Sequence, residues 1–132
     1  MLLSRETDYA LRILQNLLDG QRRSVGEISN SELIPQQFAY KIIRKLAKAN
    51  LIDITRGVEG GCKLIADLEQ VSLYDLMAAT DGVCEVNNCM TPGYQCERRD
   101  KKDGCSTQIK LIAVQRRLDN ELRACSLKSL LN

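Results

Sequence analysis

Cys89, Cys96 and Cys105 fall within one polar stretch, CMTPGYQCERRDKKDGC, and Cys84 stands just before it. A free cysteine in a core behaves as a small hydrophobe, but this stretch offers little apolar surface to pack against. The chemistry open to these thiols is therefore metal ligation, redox exchange or disulfide formation. Six residues separate the first pair and eight the second, enough slack for three sulfurs to converge on one centre. Soft thiolates suit iron–sulfur clusters, and they suit zinc equally well. The chain has no histidine, so an imidazole ligand is excluded. Cys105 opens a predicted helix, where the helix dipole favours the thiolate. Arg98, Arg99, Lys101 and Lys102 add positive charge beside it.

Compartment narrows the choice. The start, MLLSRETDYA, lacks the apolar core of a signal peptide. No apolar run approaches the roughly 20 residues that span a bilayer. A cytoplasmic protein without a membrane partner is expected. Six cysteines in such a protein point away from structural disulfides. With no histidine, no phosphate-binding glycine loop and no nucleophile–base pair, an enzyme is not expected.

The elements that must position these thiols read as mainly helical. The chain has 132 residues and no tryptophan, so Leu, Ile, Val and Ala must supply most of the core, which suits helix-on-helix packing. Ala10, Ile13, Leu14, Leu17 and Leu18 predict a first helix over 4–19, closed by Gly20. Ser24 with Glu27 is a capping box for a short second helix to about Asn30. Pro35 is expected in the first turn of a third helix, whose apolar stripe is Phe38, Ile42, Ile43, Leu46 and Ala47. Two short strands, 51–56 and 62–65, flank the glycines at 57, 60 and 61, with Ile52 and Ile54 on one face. Ser72 and Asp75 cap a helix over 73–80. Residues 83–104 read as an irregular polar loop. A long helix follows from Cys105, with an apolar seam of Leu111, Val114, Leu118, Leu122 and Cys125 that is expected to pair two copies as a homodimer. The domains are thus a winged helix-turn-helix over 1–80, a cysteine-bearing loop over 81–104, and a dimerisation helix with a tail over 105–132.

Three helices followed by a glycine-tipped ribbon give the winged helix-turn-helix order, whose natural partner is double-stranded operator DNA. Gln36, Gln37, Tyr40, Lys41 and Arg44 lie off the stripe of the third helix. Gln can pair with adenine, and Arg or Lys with guanine or phosphate. Arg56 and the tip around Glu59 would approach an adjoining groove. Between Ile34 and Arg56 basic residues outnumber Asp53 by four.

The segments TDYALR (7–12), Ile34-Pro35 through Ile52, and RGVEGG (56–61) together resemble the Rrf-type bacterial winged-helix regulators, over nearly the whole chain. The resemblance implies a dimeric DNA-binding transcription factor joined through its long C-terminal helix. Cluster-binding members carry three loop cysteines, which Cys89, Cys96 and Cys105 match, so a [2Fe-2S] or [4Fe-4S] cluster sensing redox state, nitric oxide or cluster status is implied. IscR-like members take a fourth ligand from a histidine three positions after the last cysteine; here that residue is Gln108. NsrR-like members take it from the first helix of the other subunit, at the position of Asp8. Two fourth ligands therefore stand open, Asp8 of the partner subunit and Cys84. Asp8 also reads simply as an acid favoured in a first helical turn. Cys62, on the wing strand, is expected as a small buried hydrophobe. The alternatives are a zinc site built from four cysteines and a cluster-free thiol-redox or cysteine-metabolism regulator of the same fold.

Overall fold

A computed structural model of the chain describes residues 1–82 and 84–131; Val83 and Asn132 lie outside the described residues. Ser4 starts helix α1 (Arg5–Asn16), its hydroxyl accepting the Thr7 N–H at 3.1 Å. Glu6 and Asp8 place negative charge against the positive end of the helix. Thr7, Ala10, Ile13 and Leu14 recur on the buried face. The helix stops before the expected Asp19: the chain tightens at Leu17 and reverses at Gly20, whose φ is 75°.

The Ser24–Glu27 capping box forms in full and opens α2 (Val25–Glu32), which runs two residues past the expected end. Leu33 then turns the chain in the left-handed region, at φ 54°, with its side chain in solvent. Pro35 is the N-cap of α3 (Gln36–Lys48) and not, as expected, part of its first turn. Its missing N–H still falls at a helix end, where no intrahelical partner exists. Ala39, Ile42, Ile43 and Leu46 form the buried stripe. Phe38, expected in that stripe, lies about 100° round the helix from Ala39; it is 41% exposed and meets Tyr9 edge-on, with ring centroids 6.2 Å apart.

The wing is an antiparallel ribbon, β1 (Ile52–Thr55) with β2 (Gly61–Leu64), in the register Ile52–Leu64 and Ile54–Cys62. Ile52 is buried but Ile54 is not. They share a face with Cys62, which is paired opposite Ile54 and stays fully buried. Arg23 adds a third rung through two backbone bonds with Cys62, at 2.8 and 3.0 Å. This close approach demands glycine at position 61, where a Cβ would lie 2.3 Å from the Arg23 carbonyl oxygen at φ 144°. The wing is thereby tied to the segment that starts α2.

Ser72 and Asp75 form the second capping box, opening α4 (Leu73–Thr80). The polar segment beyond it contains a 3₁₀ turn (Asn88–Met90) and a five-residue helix, α5 (Glu97–Lys101), where an irregular loop is expected. Helix α6 (Ser106–Ala124) packs against α4, with the Arg123 guanidinium 3.6 Å from the centroid of the Tyr74 ring. Its expected seam divides: Leu122 is buried, Leu111, Leu118 and Cys125 are half-buried, and Val114 is exposed, as is Ile109. Where a tail is expected, Leu127–Leu131 form α7, which returns to α1. Leu127 and Leu131 join Ala10, Leu14, Leu17, Ile42, Leu46 and Leu76 in one core.

Helix α7 thus closes the core built by α1, α3 and α4. Leu127→Ala is expected to lower unfolding free energy by about 2–5 kcal/mol, the range for a deleted buried leucine, whereas Leu130→Ala, at an exposed position of the same helix, is expected to change it little. Urea denaturation of the two variants checks this; equal effects would show that α7 does not belong to the core.

Candidate nucleic-acid interface and cysteine site

Gln36, Gln37, Tyr40, Lys41 and Arg44 are all exposed on α3. Gln37, Lys41 and Arg44 lie three to four residues apart and so share a face. Tyr40 and Arg44 also line a groove of about 500 Å³ whose opposite wall is the wing, from Ile54 to Val58. Arg56 belongs to that wall, and Glu59 is exposed at the tip, at the turn closed by a Gly60–Gly57 backbone bond of 3.0 Å. Position 60 admits no side chain, because a Cβ would lie 2.4 Å from the Thr55 carbonyl oxygen. The structure therefore brings Tyr40, Arg44 and Arg56 around one groove, with Gln36, Gln37 and Lys41 on the adjoining helix surface.

Lys41 is not simply an unpaired cation offered to DNA. Its ammonium pairs with Glu6 of α1, and so does that of Lys45. Side-chain bonds from Lys41 and then Lys45 hold the Glu6 carboxyl below its usual range, against the opposing effect of burial. Lys45 also donates to the carbonyl of Thr80, the last residue of α4. Beside it the Thr7 and Thr80 hydroxyls lie 2.7 Å apart, and the Asp81 carboxylate accepts from Thr7 at 2.6 Å and from Ser4. One polar knot thus joins the start of α1, the Lys41–Lys45 face of α3 and the end of α4. In the sequence Glu6 signals only a favourable first-turn acid; nothing local reveals its two lysine partners.

The cysteine segment leaves directly from this knot. Cys89, Cys96 and Cys105 line a single cavity of about 210 Å³, together with Tyr94, Arg98, Arg99 and Gln108. All three thiols are half-buried and reduced. As placed, no three Cys, Asp or Glu side chains among the described residues stand close enough to hold a metal ion. The donor set nonetheless fits an iron–sulfur cluster in kind: three soft sulfurs open onto one space, with cationic groups on its wall. Cys105 sits at the N-cap of α6 without a full capping bond. The Gln108 N–H still faces its thiol and is the main cause of a pKa held below the usual thiol range, with Thr107 and Arg98 assisting and burial opposing.

Neither candidate fourth ligand lines the cavity of its own chain. Asp8 lies on α1, half exposed, in an ion pair with Arg12 at 2.8 Å. Cys84 lies at the root of the loop and is half-buried. Two glutamines of α6 hold that loop. Gln108 donates to the Cys89 carbonyl at 2.8 Å. Gln115 donates to the Cys84 carbonyl at 2.8 Å and accepts the Val86 N–H at 2.6 Å. The spacing of seven between these glutamines is visible in the sequence, but what they hold is not.

Cys62 stands apart, fully buried under the wing, where burial pushes its thiol up to about 11. Among the described residues no helix is long and apolar enough to cross a membrane.

Comparison with known proteins adds the following. The family described as "Rrf2: Iron-dependent Transcriptional regulator" matches residues 3–132. The chain is 28% identical over 95 residues to protein aau3 of Rhizobium meliloti, a match that covers 70% of this chain and 62% of that protein. Among solved structures it is similar to CymR (YrzC), the global cysteine regulator of B. subtilis, with a TM-score of 0.73, 18% identity, and coverage of 99% of this chain and 96% of that one. It is likewise similar to T. potens IscR, with a TM-score of 0.69, 16% identity, and coverage of 99% and 86%. At these identities the two structures establish the winged-helix fold alone.

A thiol with so high a pKa remains protonated, and so unreactive, at neutral pH. In the native protein Cys62 is expected to escape alkylation by iodoacetamide and to react once the chain is unfolded. Peptide mass analysis checks this, and rapid native labelling would contradict the buried placement.

Proposed function

This chain belongs to the Rrf2 family of transcriptional regulators, and on that premise we propose that it is a homodimeric repressor or dual regulator whose operator affinity is set by an iron–sulfur cluster. The observation that carries this proposal is the shared cavity of Cys89, Cys96 and Cys105, opening from a loop rooted at the α1–α3–α4 knot. These three residues would hold the cluster, with Asp8 of the partner subunit or Cys84 completing the set. When bound, the cluster supplies a redox- and ligand-sensitive centre whose loss or oxidation can be registered as a change in structure.

The chain's own residues do the rest. Closing the three thiols onto one point draws in the segment from Cys84 to Cys105. That segment begins just after Asp81, which is bonded to Ser4 and Thr7 of α1. Glu6 of the same turn holds Lys41 and Lys45 of the recognition helix. A change in the loop is thereby delivered to the element that meets DNA. Tyr40, Arg44 and Arg56 would contact the operator around their common groove, with Gln36, Gln37, Lys41 and Glu59 beside them. Two such units recognise half-sites about one DNA turn apart, so a small change in their spacing alters affinity. The exposed Ile109 and Val114 of α6 supply apolar surface for pairing two copies.

A second reading is a cluster-free thiol regulator. It is supported by free, half-buried thiols that share a cavity with Arg98 and Arg99, and by the fold shared with a cysteine regulator. Iron analysis separates the two. Protein purified without air is expected to contain iron and acid-labile sulfide, and Cys96→Ala is expected to lose both. Colourless wild-type protein, metal-free or with stoichiometric zinc, would overturn the cluster. For the DNA face, Arg44→Ala is expected to weaken binding to a duplex selected by the wild-type protein by about 1–3 kcal/mol. Unchanged affinity in a gel-shift titration would remove Arg44 from the reader.

A further inference from the structure

Long polar loops normally owe their shape to a few apolar anchors. This one has little such anchorage: among its described residues from Cys84 to Gly104 none is classed as buried, and Val86 and Tyr94 are exposed. What fixes its first half is hydrogen bonding to one face of α6. Gln108 and Gln115 are seven residues apart and therefore project from the same side of the helix. We propose that these two carboxamides are positioning residues that preset the backbone from Cys84 to Cys89, so that Cys89 is held at the cavity it shares with Cys96 and Cys105.

The bonding pattern is specific. Gln115 uses both donors, one to the Cys84 carbonyl and one to Asp119 Oδ1, each at 2.8 Å, while its oxygen accepts the Val86 N–H at 2.6 Å. Asp119, one turn further along α6, can only accept when ionised. It therefore fixes which way round the carboxamide lies, with the nitrogen toward Asp119 and Cys84 and the oxygen left for Val86. Gln108 donates to the Cys89 carbonyl itself and also lines the cavity of the three thiols. A neutral amide suits this place. It holds a ligand's backbone without adding charge beside anionic sulfur, and it does not titrate across the physiological range. The roles resemble those of outer-shell groups that orient metal ligands, whose removal typically weakens metal retention about 10- to 100-fold.

This inference deepens the cluster reading and rests on it for its functional consequence, so the test carries one arm that needs no cluster. The full-length protein is prepared without air as wild type, Gln108→Leu, Gln115→Leu, Gln115→Glu and the double leucine variant. Iron release to a chelator is timed for each. Hydrogen exchange at the Val86 amide is followed in the cluster-free proteins. The double leucine variant is expected to lose iron about 10- to 100-fold faster than wild type, with an unchanged thermal melt. Val86 exchange is expected to speed up in Gln115→Leu, which removes the acceptor, and also in Gln115→Glu, whose added carboxylate oxygen is repelled by Asp119 and the Cys84 carbonyl. Equal iron release across the set overturns the positioning role. So does Val86 exchange that ignores Gln115→Leu. If wild-type protein holds no iron, the cluster reading fails by itself, and the Val86 exchange still decides whether the carboxamides set the loop.

Discussion

Two buried threonine hydroxyls, Thr7 and Thr80, meet 2.7 Å apart where α1 crosses the end of α4. Buried hydroxyls are destabilising unless bonded, and every partner they find fixes a neighbour. Thr7 donates to Asp81 and so accepts from Thr80, and the Thr80 carbonyl takes the Lys45 ammonium. Glu6, one residue from Thr7, holds Lys41 as well as Lys45. Partly exposed ion pairs of this kind contribute little to stability on their own. Their value lies in geometry: they tie α3 to the first turn of α1, whose Ser4 and Thr7 hold Asp81 just before the cysteine segment.

From this knot the molecule extends in two directions with different mechanics. Toward the wing it is stiff. The wing is bonded to its own partner strand and to Arg23, at a position where only glycine allows the backbones to approach, and α7 closes the core behind it. Toward the thiols it is softer. There the backbone is held by single side-chain bonds from α6 and no core lies beneath it, the profile of a segment that opens locally at low free energy. The proposed sensor would use this division: a part that responds to a cofactor and a part that keeps its shape while it is moved.

Elements encoded by neighbouring residues were legible in the chain. Both capping boxes, Ser24–Glu27 and Ser72–Asp75, form as their spacing dictates, and the glycine tip between Ile52 and Leu64 makes the ribbon. The three loop cysteines, marked by their polar setting, do share one cavity. What escaped was set by distant contacts. Helix α7 is five residues long and carries no periodic signal; it is helical because Leu127 and Leu131 pack into a core whose α1 members lie more than a hundred residues away in sequence. Phe38 looks like core by type but lies off the stripe that Ala39 defines, and Lys41 looks like a free cation until Glu6 is placed beside it. Gln108 reads as a missing ligand in the sequence; in space it grips the carbonyl of Cys89.

The central claim is mechanical: what the thiols hold decides how α3 meets DNA. The most direct measurement is the affinity of the same dimer for the same selected duplex, first as purified without air and then after its iron has been removed by a chelator. The account predicts that the two values differ by about 5- to 150-fold, the span that a coupling of about 1–3 kcal/mol between two sites produces. Identical affinities for the loaded and stripped protein would contradict it.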